Sequence, residues 1–600
     1  MKHISNHISK GVLTALLAVT LTSCGDFLDI EPRNIVTEDN FWDEKEDVIQ
    51  YLMGCYTAMQ SEAFISRAIV WGEMRSDNLY PTTNIESKSY DIYQILRENL
   101  LSTNSYTRWI NYYYVINKCN NVIQKAPEVS QIDPAYRSSE LQATIAEATA
   151  IRSLCYFYLI RAFESVPFYR DAVQQEDEVL YLPASSFDYI LNQIIFDLES
   201  VRNSALVRYG SSNQGIGMSY NSDCNRITRS AIDAMLADMY LWQGNYDKVI
   251  ERCEAILAQK KVDYKEYYGS TTGEVTSSTP EELTAPYGLT LPLYANTVAN
   301  PSKAFNAIFA TGNSFESIFE LSFNYSTSST AYVMSTALGR LYGAGITEKT
   351  DGLDKNDGAG YVTVNPSLVT EISTKAWKYF VNEYDARYFN SFKVTDNNYG
   401  EGIIRKGVAS MFNVTEFDSK DKAPFDNVSS SSFEIHSIMD RNWIFYRMTD
   451  VMLMEAEALL MKVTDETTDE NTELLQKAFD LIYLVNRRSV LNSNTQYHLA
   501  FKNYKTKGAM QLLLRAERNR ELMFEGKRWF DLVRLARRDG TPDVVRSLVG
   551  DKMSGAMGAK RFPSMESLFM PYNKDELKVN TYLRQKAVYA NDSGDEYEMN

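Results

Sequence analysis

Histidine is scarce in this chain of 600 residues: there are four, and only His436 and His498 lie beyond the N-terminal leader. HExxH, GxSxG and a glycine-rich phosphate loop are all missing, which argues against zinc peptidases, serine hydrolases and kinases. Cysteine is sparse too. Cys55, Cys119, Cys155, Cys224 and Cys253 are widely spaced, odd in number and form no CxxC pair, so they read as core thiols and not as a disulfide frame or a metal site. Positive charge is in deficit, with 61 Lys and Arg against 78 Asp and Glu. Nucleic acid would be repelled. Beyond the leader no apolar run approaches the roughly 18 residues that a membrane-spanning helix needs.

Tyrosine, by contrast, is plentiful, at 40 residues beside 27 Phe and 7 Trp. Tyrosine beyond what a core needs often lies on surfaces that meet ligands with both apolar and polar faces, as sugars have. The N-terminus supplies an address. Lys2 and Lys10 flank a polar start, Gly11 to Leu21 is a short apolar run, and Leu21-Thr22-Ser23-Cys24 closes it like a bacterial lipobox. Residues 1–23 are therefore expected to be a lipoprotein signal peptide, and Cys24 the acylated anchor of a body comprising 24–600.

The body reads as mainly α. Val48, Leu52, Cys55 and Met59 recur at helical spacing, as do Trp109, Tyr112, Ile116 and Cys119 in a helix expected to end near Ala126-Pro127. Phe187 to Val201 is a further helix. Arg226 to Gln259 carries Leu236, Ala237, Tyr240, Gly244, Tyr246, Cys253 and Ile256 at tetratricopeptide positions, which implies a helix pair turning at Gly244. Such a pair buries its face only against neighbours, and 447–488 offers another pair across a polar turn. Residues 261–435 lack helical period and are rich in Gly, Ser, Thr, Asn and Tyr, so an irregular, ligand-facing subdomain is expected to interrupt a helical scaffold of 37–260 and 436–600.

The densest stretch is Arg515 to Arg538. Leu512, Leu513 and Ala516, then Trp529, Phe530, Leu532 and Val533, give apolar stripes on two helical pieces around Gly526. Arg518 with Glu521, and Arg528 with Asp531 and Arg534, stand one turn apart, so ion pairs lining a buried seam are expected. ER-NREL-xFEG-xRWFDL-xR resembles the C-terminal signature of the SusD/RagB family of outer-membrane lipoproteins. Other segments resemble the same family in the same order: Gly25-Asp26-Phe27-Leu28-Asp29 after Cys24, Glu147 to Phe168, Glu316-Ser317-Ile318-Phe319-Glu320-Leu321, and Met570-Pro571-Tyr572 with Asn580, where Thr581 replaces the family's proline.

The resemblance implies a non-catalytic lipoprotein on the outer membrane, exposed at the cell surface. It would capture oligosaccharide and pass it to a SusC-like TonB-dependent transporter. The family has no fixed motif for its pocket. Composition and place single out Arg75, Asp77, Asn78 and Tyr80 in the loop after Trp71, with Tyr294, Tyr325 and Tyr332 in the middle subdomain. Each has a plainer reading: tyrosines in irregular segments also serve packing, and Arg75 could simply brace its loop by pairing with Asp77. Peptide capture in the manner of RagB, a surface glycoside hydrolase using two of the many carboxylates, and a scaffold that binds only its transporter remain as alternatives. No cofactor is expected. Asp351 to Gly358 gathers oxygen donors, but placing Gly358 at the obligatory glycine of a calcium loop puts Leu353 and Lys355 at ligand positions. A solvated acidic turn is the reading there, with an irregular calcium site as the alternative.

Overall fold

The computed structural model describes residues 41–590 apart from 83–84, 174–180, 210–219, 269–278, 324–335, 344–359, 366–383, 395–401, 409–440, 492–494, 551 and 553–559. The lipobox with Cys24, the acidic turn Asp351–Gly358, Tyr325 and Tyr332 lie outside the described residues.

The scaffold is a row of helices, most of them packed on the next. Its members before the irregular region are α1 (Lys45–Met59), α2 (Glu62–Ile69), α3 (Ile110–Ile132), α4 (Ser138–Phe163), α5 (Phe187–Val201), α6 (Arg229–Gln243) and α7 (Tyr246–Tyr268). After it come α8 (Met448–Lys462), α9 (Asp469–Arg487), α10 (Lys507–Leu522) and α11 (Arg528–Asp539). Side-chain caps fix several starts: Ser61, Ser186, Thr228, Thr468 and Thr506 each accept a backbone N–H of the first turn. Gly244, at φ +80°, closes α6 in the left-handed conformation that turns the chain into α7.

In space α7 packs directly on α8, so the helical row is continuous although the sequence is interrupted by the irregular region. Stacking against neighbours on both sides explains why α4 is buried at every residue from Ala146 to Phe163. Its two arginines in that span are therefore paired, Arg152 with Asp197 of α5 at 3.1 Å and Arg161 with Asp238 of α6 at 3.3 Å.

Three expectations needed revision. The helix expected to stop at Pro127 runs through it to Ile132, held by burial of Ala126 and Val129 on either side. Leu512, read as part of the apolar stripe, is 60% exposed, and Met510, Leu513 and Leu514 form the buried face instead. Arg518 does not pair with Glu521; it reaches across to Asp531 on the next helix at 3.0 Å and to Asp450 of α8 at 3.2 Å.

The irregular region carries short strands, which pair with two more from outside it. β1 (Leu79–Pro81), β5 (Val362–Val364), β7 (Gly402–Ile404) and β6 (Phe392–Val394) form one sheet in the order β1-β5-β7-β6, with Tyr80 opposite Thr363. β2 (Glu281–Thr284) and β3 (Thr290–Leu293) make a hairpin. β4 (Ser317–Leu321) pairs antiparallel with β8 (Trp443–Arg447) and so links the irregular region to the start of α8. The five cysteines within the described residues are all buried and unbridged. Among the described residues no helix is long and apolar enough to cross a membrane.

Candidate functional site

A buried frame of charge lies where the scaffold, the irregular region and the loop after α2 meet. Glu517, Glu521 and Glu525 are spaced four apart in sequence, and each meets cations from distant segments. Arg447, at the end of β8, donates to Glu521 at 2.7 Å and to Glu525 at 2.8 Å. Arg387 reaches Glu517 at 2.6 Å and Glu521 at 3.1 Å, while Lys406 reaches Glu525 at 2.6 Å. Arg488 bridges Glu521 to Glu316, the latter at 2.7 Å. Burial alone would push the Glu521 carboxyl up, but Arg488, Arg447 and Arg387 override it and hold it well below the usual carboxylate range. Four cationic side chains from the irregular region, β8 and the end of α9 are thereby fixed to the last turns of α10 and the turn after it.

The loop after α2 joins this frame, which revises the expectation for three of its residues. A π-helical turn, Val70–Met74, aims the following residues inward. Arg75 donates to Glu98 at 2.7 Å and to the carbonyls of Leu568 and Ser567 at 2.6 and 2.9 Å, with its guanidinium stacked over Trp529 at 4.1 Å. Asp77 accepts a two-pronged bond from Arg528 at 2.7 and 2.8 Å. Burial works against that carboxylate, yet Arg528 keeps it below its ordinary range. Asn78 and Asn519 exchange amide hydrogen bonds at 2.9 and 3.1 Å. Asp77 thus pairs with Arg528 and not with Arg75, and all three side chains brace the loop. Tyr294 is revised likewise: it is 5% exposed, and its hydroxyl accepts from the Phe315 N–H.

Glu73 sits at the centre of the same loop. Its carboxyl accepts from the Asn78 amide at 3.1 Å and from the backbone N–H groups of Lys527 and Arg528, at the start of α11, at 3.3 and 3.4 Å. Burial outweighs these bonds and raises it to about 7.

Above the frame the chain presents rings. β1 alternates, with Leu79 inside and Tyr80 37% exposed. The strand is held by the Asn365 N–H to Asn78 O at 2.8 Å and by Thr82 bonding the carbonyls of Gly360 and Tyr361. The short helix Tyr90–Leu96 packs against β1 and places Tyr90 in solvent at 44% exposure. One turn on, Tyr93 carries the Arg97 guanidinium over its ring at 5.2 Å. Tyr106 and Tyr361 are neighbours beside it, the Tyr106 hydroxyl pushed up to about 12 chiefly by burial. Arg340 pairs with Glu62 at 2.6 Å in a half-exposed bridge, and the segment bearing Arg340 packs on both α2 and β5. Tyr80 and Tyr90 thus stand exposed on two segments that pack together, with Tyr93 and Arg97 further along from Tyr90, a surface that sets rings beside charge. Such a face can cover C–H surface while neighbouring groups meet hydroxyls.

Tyr80 alone among these was singled out from sequence. Tyr90 and Tyr93 had a usable signal, an i,i+3 pair following Ser89 in a helical pattern. Tyr361 had none, because strand pairing brings it there.

A concavity of about 410 Å³ between α8, α10 and α11 is lined by the signature arginines, but Arg518, Arg528 and Arg534 are already committed to Asp531, Asp77 and Glu457. It is a seam of the scaffold. Among the described residues no group of three or more His, Cys, Asp or Glu is placed to hold a metal.

Comparison with known proteins agrees with this architecture. The family model described as SusD family matches residues 316–591. A SusD-like protein of Formosa agariphila is 23% identical over 559 residues, 92% of this chain and 96% of that protein. A SusD-like protein of Bacteroides ovatus is 24% identical over 241 residues, 40% of each chain. Among solved structures, a SusD superfamily protein from Bacteroides vulgatus superposes with a TM-score of 0.61 at 17% identity, covering 91% of this chain and 99% of that one. A laminarin-binding SusD-like protein superposes with a TM-score of 0.56 at 17% identity, covering 91% and 100%.

Proposed function

We propose that this chain, whose residues 316–591 match the SusD family and which SusD-like proteins resemble over most of its length, is a cell-surface lipoprotein that captures oligosaccharide without cleaving it and delivers it to a SusC-like TonB-dependent transporter. Acylation at Cys24 would tether it to the outer membrane. The observation that carries the glycan reading is the ring-bearing face: Tyr80 and Tyr90 are exposed on segments that packing and a buried ion-pair frame hold still. Exposed aromatics on a rigid support lose little entropy on binding, which suits a flexible, weakly apolar ligand such as a glycan. The laminarin-binding relative supports the same class of ligand.

In this reading Tyr80, Tyr90 and Tyr361 cover sugar rings, and Arg97 meets hydroxyls. Tyr325 and Tyr332 remain candidate additions from the irregular region, and Arg75, Asp77 and Asn78 position the face from beneath. The capture needs no cofactor. The test is binding of the full chain to a broad glycan panel that includes laminarin, with reducing ends assayed in the same wells. Saturable binding with no new reducing ends is the expected result. New reducing ends would make the protein a hydrolase, and binding of peptides but no glycan would overturn the choice of ligand.

A further inference from the structure

The turn of the β2–β3 hairpin is clamped to the scaffold. Asp480 of α9, itself buried, accepts from the backbone N–H of Tyr287 at 3.0 Å and of Leu289 at 3.2 Å. Between them Gly288, at φ +100°, supplies the backbone conformation that the turn requires. Tyr287 is thus held in place by its main chain, while its ring is 46% exposed and is steadied edge-on by Phe501 at 5.2 Å. The ring is thereby presented to solvent on a fixed mount.

Beside it, enclosed by the hairpin and by α7, α8 and α9, lies a cavity of about 600 Å³ that shares no lining residue with the Tyr80 face. Leucines from α7, α9 and the hairpin give it an apolar floor, and Gln476 and Lys261 bring polar ends to its wall. Glu455 of α8 also lines it. That side chain is 8% exposed, and its Oε2 is sealed from solvent with no hydrogen-bond partner. A buried carboxyl oxygen left unbonded costs stability. Burial, and then the nearby Glu254, push the Glu455 carboxyl up to about 8, so near neutral pH it is mostly protonated and can both donate and accept.

We infer that this cavity is a second saccharide subsite, in which the Tyr287 ring covers one C–H face of a sugar while Glu455, Gln476 and Lys261 meet its hydroxyls. The inference rests on the glycan reading above but names a different place on the molecule. A volume of this size accommodates a small ligand, and the mixture of apolar floor and few convergent polar groups is that of a binding pocket.

The experiment is saturation-transfer NMR on the full chain in detergent, with glucose, galactose, mannose and N-acetylglucosamine each used alone as probe. It is repeated on Tyr80→Ala, and on Tyr287→Ala and Glu455→Met each added to Tyr80→Ala so that the other face is silent, with a thermal melt of each to verify folding. The expected result is a signal from at least one sugar that survives in Tyr80→Ala and weakens about tenfold, the size of one lost contact, when Tyr287→Ala or Glu455→Met is added. Glu455→Met should fold at least as well as the parent, because it removes an acid whose burial is unfavourable. No signal from any of the four sugars, or a signal that persists in both cavity variants, overturns the subsite. A signal lost in Tyr80→Ala alone overturns it too, while leaving the Tyr80 face intact. Failure of the glycan panel with the cavity signal retained would count against that face alone.

Discussion

Gly72 and Gly526 lie backbone to backbone: a Cβ on Gly72 would fall 1.8 Å from the carbonyl oxygen of Gly526. Gly526 itself adopts φ +70°, and a Cβ there would meet the Trp443 ring at 2.9 Å. This crossing seats the π-helical turn of the first loop on the signature, so that Arg75, Asp77 and Asn78 reach partners near residues 519 to 568.

Gly72→Ala should therefore destabilise the chain by about 3 kcal/mol or more, since backbone must move to admit the methyl. Gly540→Ala serves as the comparison: it has the same φ, +70°, but nothing lies within 4 Å of its added Cβ. It should cost about 1 kcal/mol, from the left-handed backbone alone. Urea denaturation of the two variants gives the contrast, and equal losses would show that the crossing is not tight.

Glu521→Ala should cost roughly 3–5 kcal/mol, because it leaves the buried guanidinium groups of Arg387, Arg447 and Arg488 with fewer carboxylates. Glu473→Ala, which breaks a largely exposed pair with Lys477, should cost well under 1 kcal/mol. Denaturation midpoints in low and high salt check both, and only the exposed pair should respond to salt.

Glu73 gives the pH dependence a defined sign. Its carboxyl stands at about 7 in the folded chain against an ordinary value of 4.5, so the folded chain holds this proton more tightly than the unfolded chain does. The favourable contribution is complete below about pH 4.5 and is lost as the pH rises through 7. Relative to the parent, Glu73→Gln should gain roughly 3 kcal/mol of stability between pH 5 and pH 8, whatever its own hydrogen bonds cost, because that cost does not vary with pH. Unfolding free energies of the two proteins at the two pH values decide it; a constant difference would mean that Glu73 is already ionised at pH 5.

Tyr80→Ala should weaken glycan binding about tenfold with little change in melting temperature, since the ring projects from an edge strand and buries little. Asp77→Asn should do the reverse in order of cause, lowering the melting temperature first by leaving Arg528 short of its carboxylate. Calorimetry paired with binding isotherms separates the two, and loss of binding in folded Asp77→Asn alone would return that residue to the ligand.

Helical periodicity was readable to the residue in places. Phe187–Val201 and the turn at Gly244 follow from spacing within one or two turns of chain, because apolar stripes and a left-handed cap are local requirements. The C-terminal signature likewise pointed to a buried seam of ion pairs, since that mixture of Arg, Glu and Trp can be satisfied in few other ways. What the sequence left open was the choice of partner. Arg518 has a carboxylate three residues away in Glu521, yet it binds Asp531, and Glu521 serves three arginines from other segments. Arg75, Asp77 and Asn78 look like ligand groups in a polar loop until the fold brings Glu98, Arg528 and Asn519 to them. Local pattern determines which residues form helices and which face of each is apolar. Which charge neutralises which, and therefore which polar residues remain for a ligand, depends on distances between separate segments, 13 residues apart for Arg518 and Asp531 and 441 for Asn78 and Asn519, and only tertiary packing fixes those.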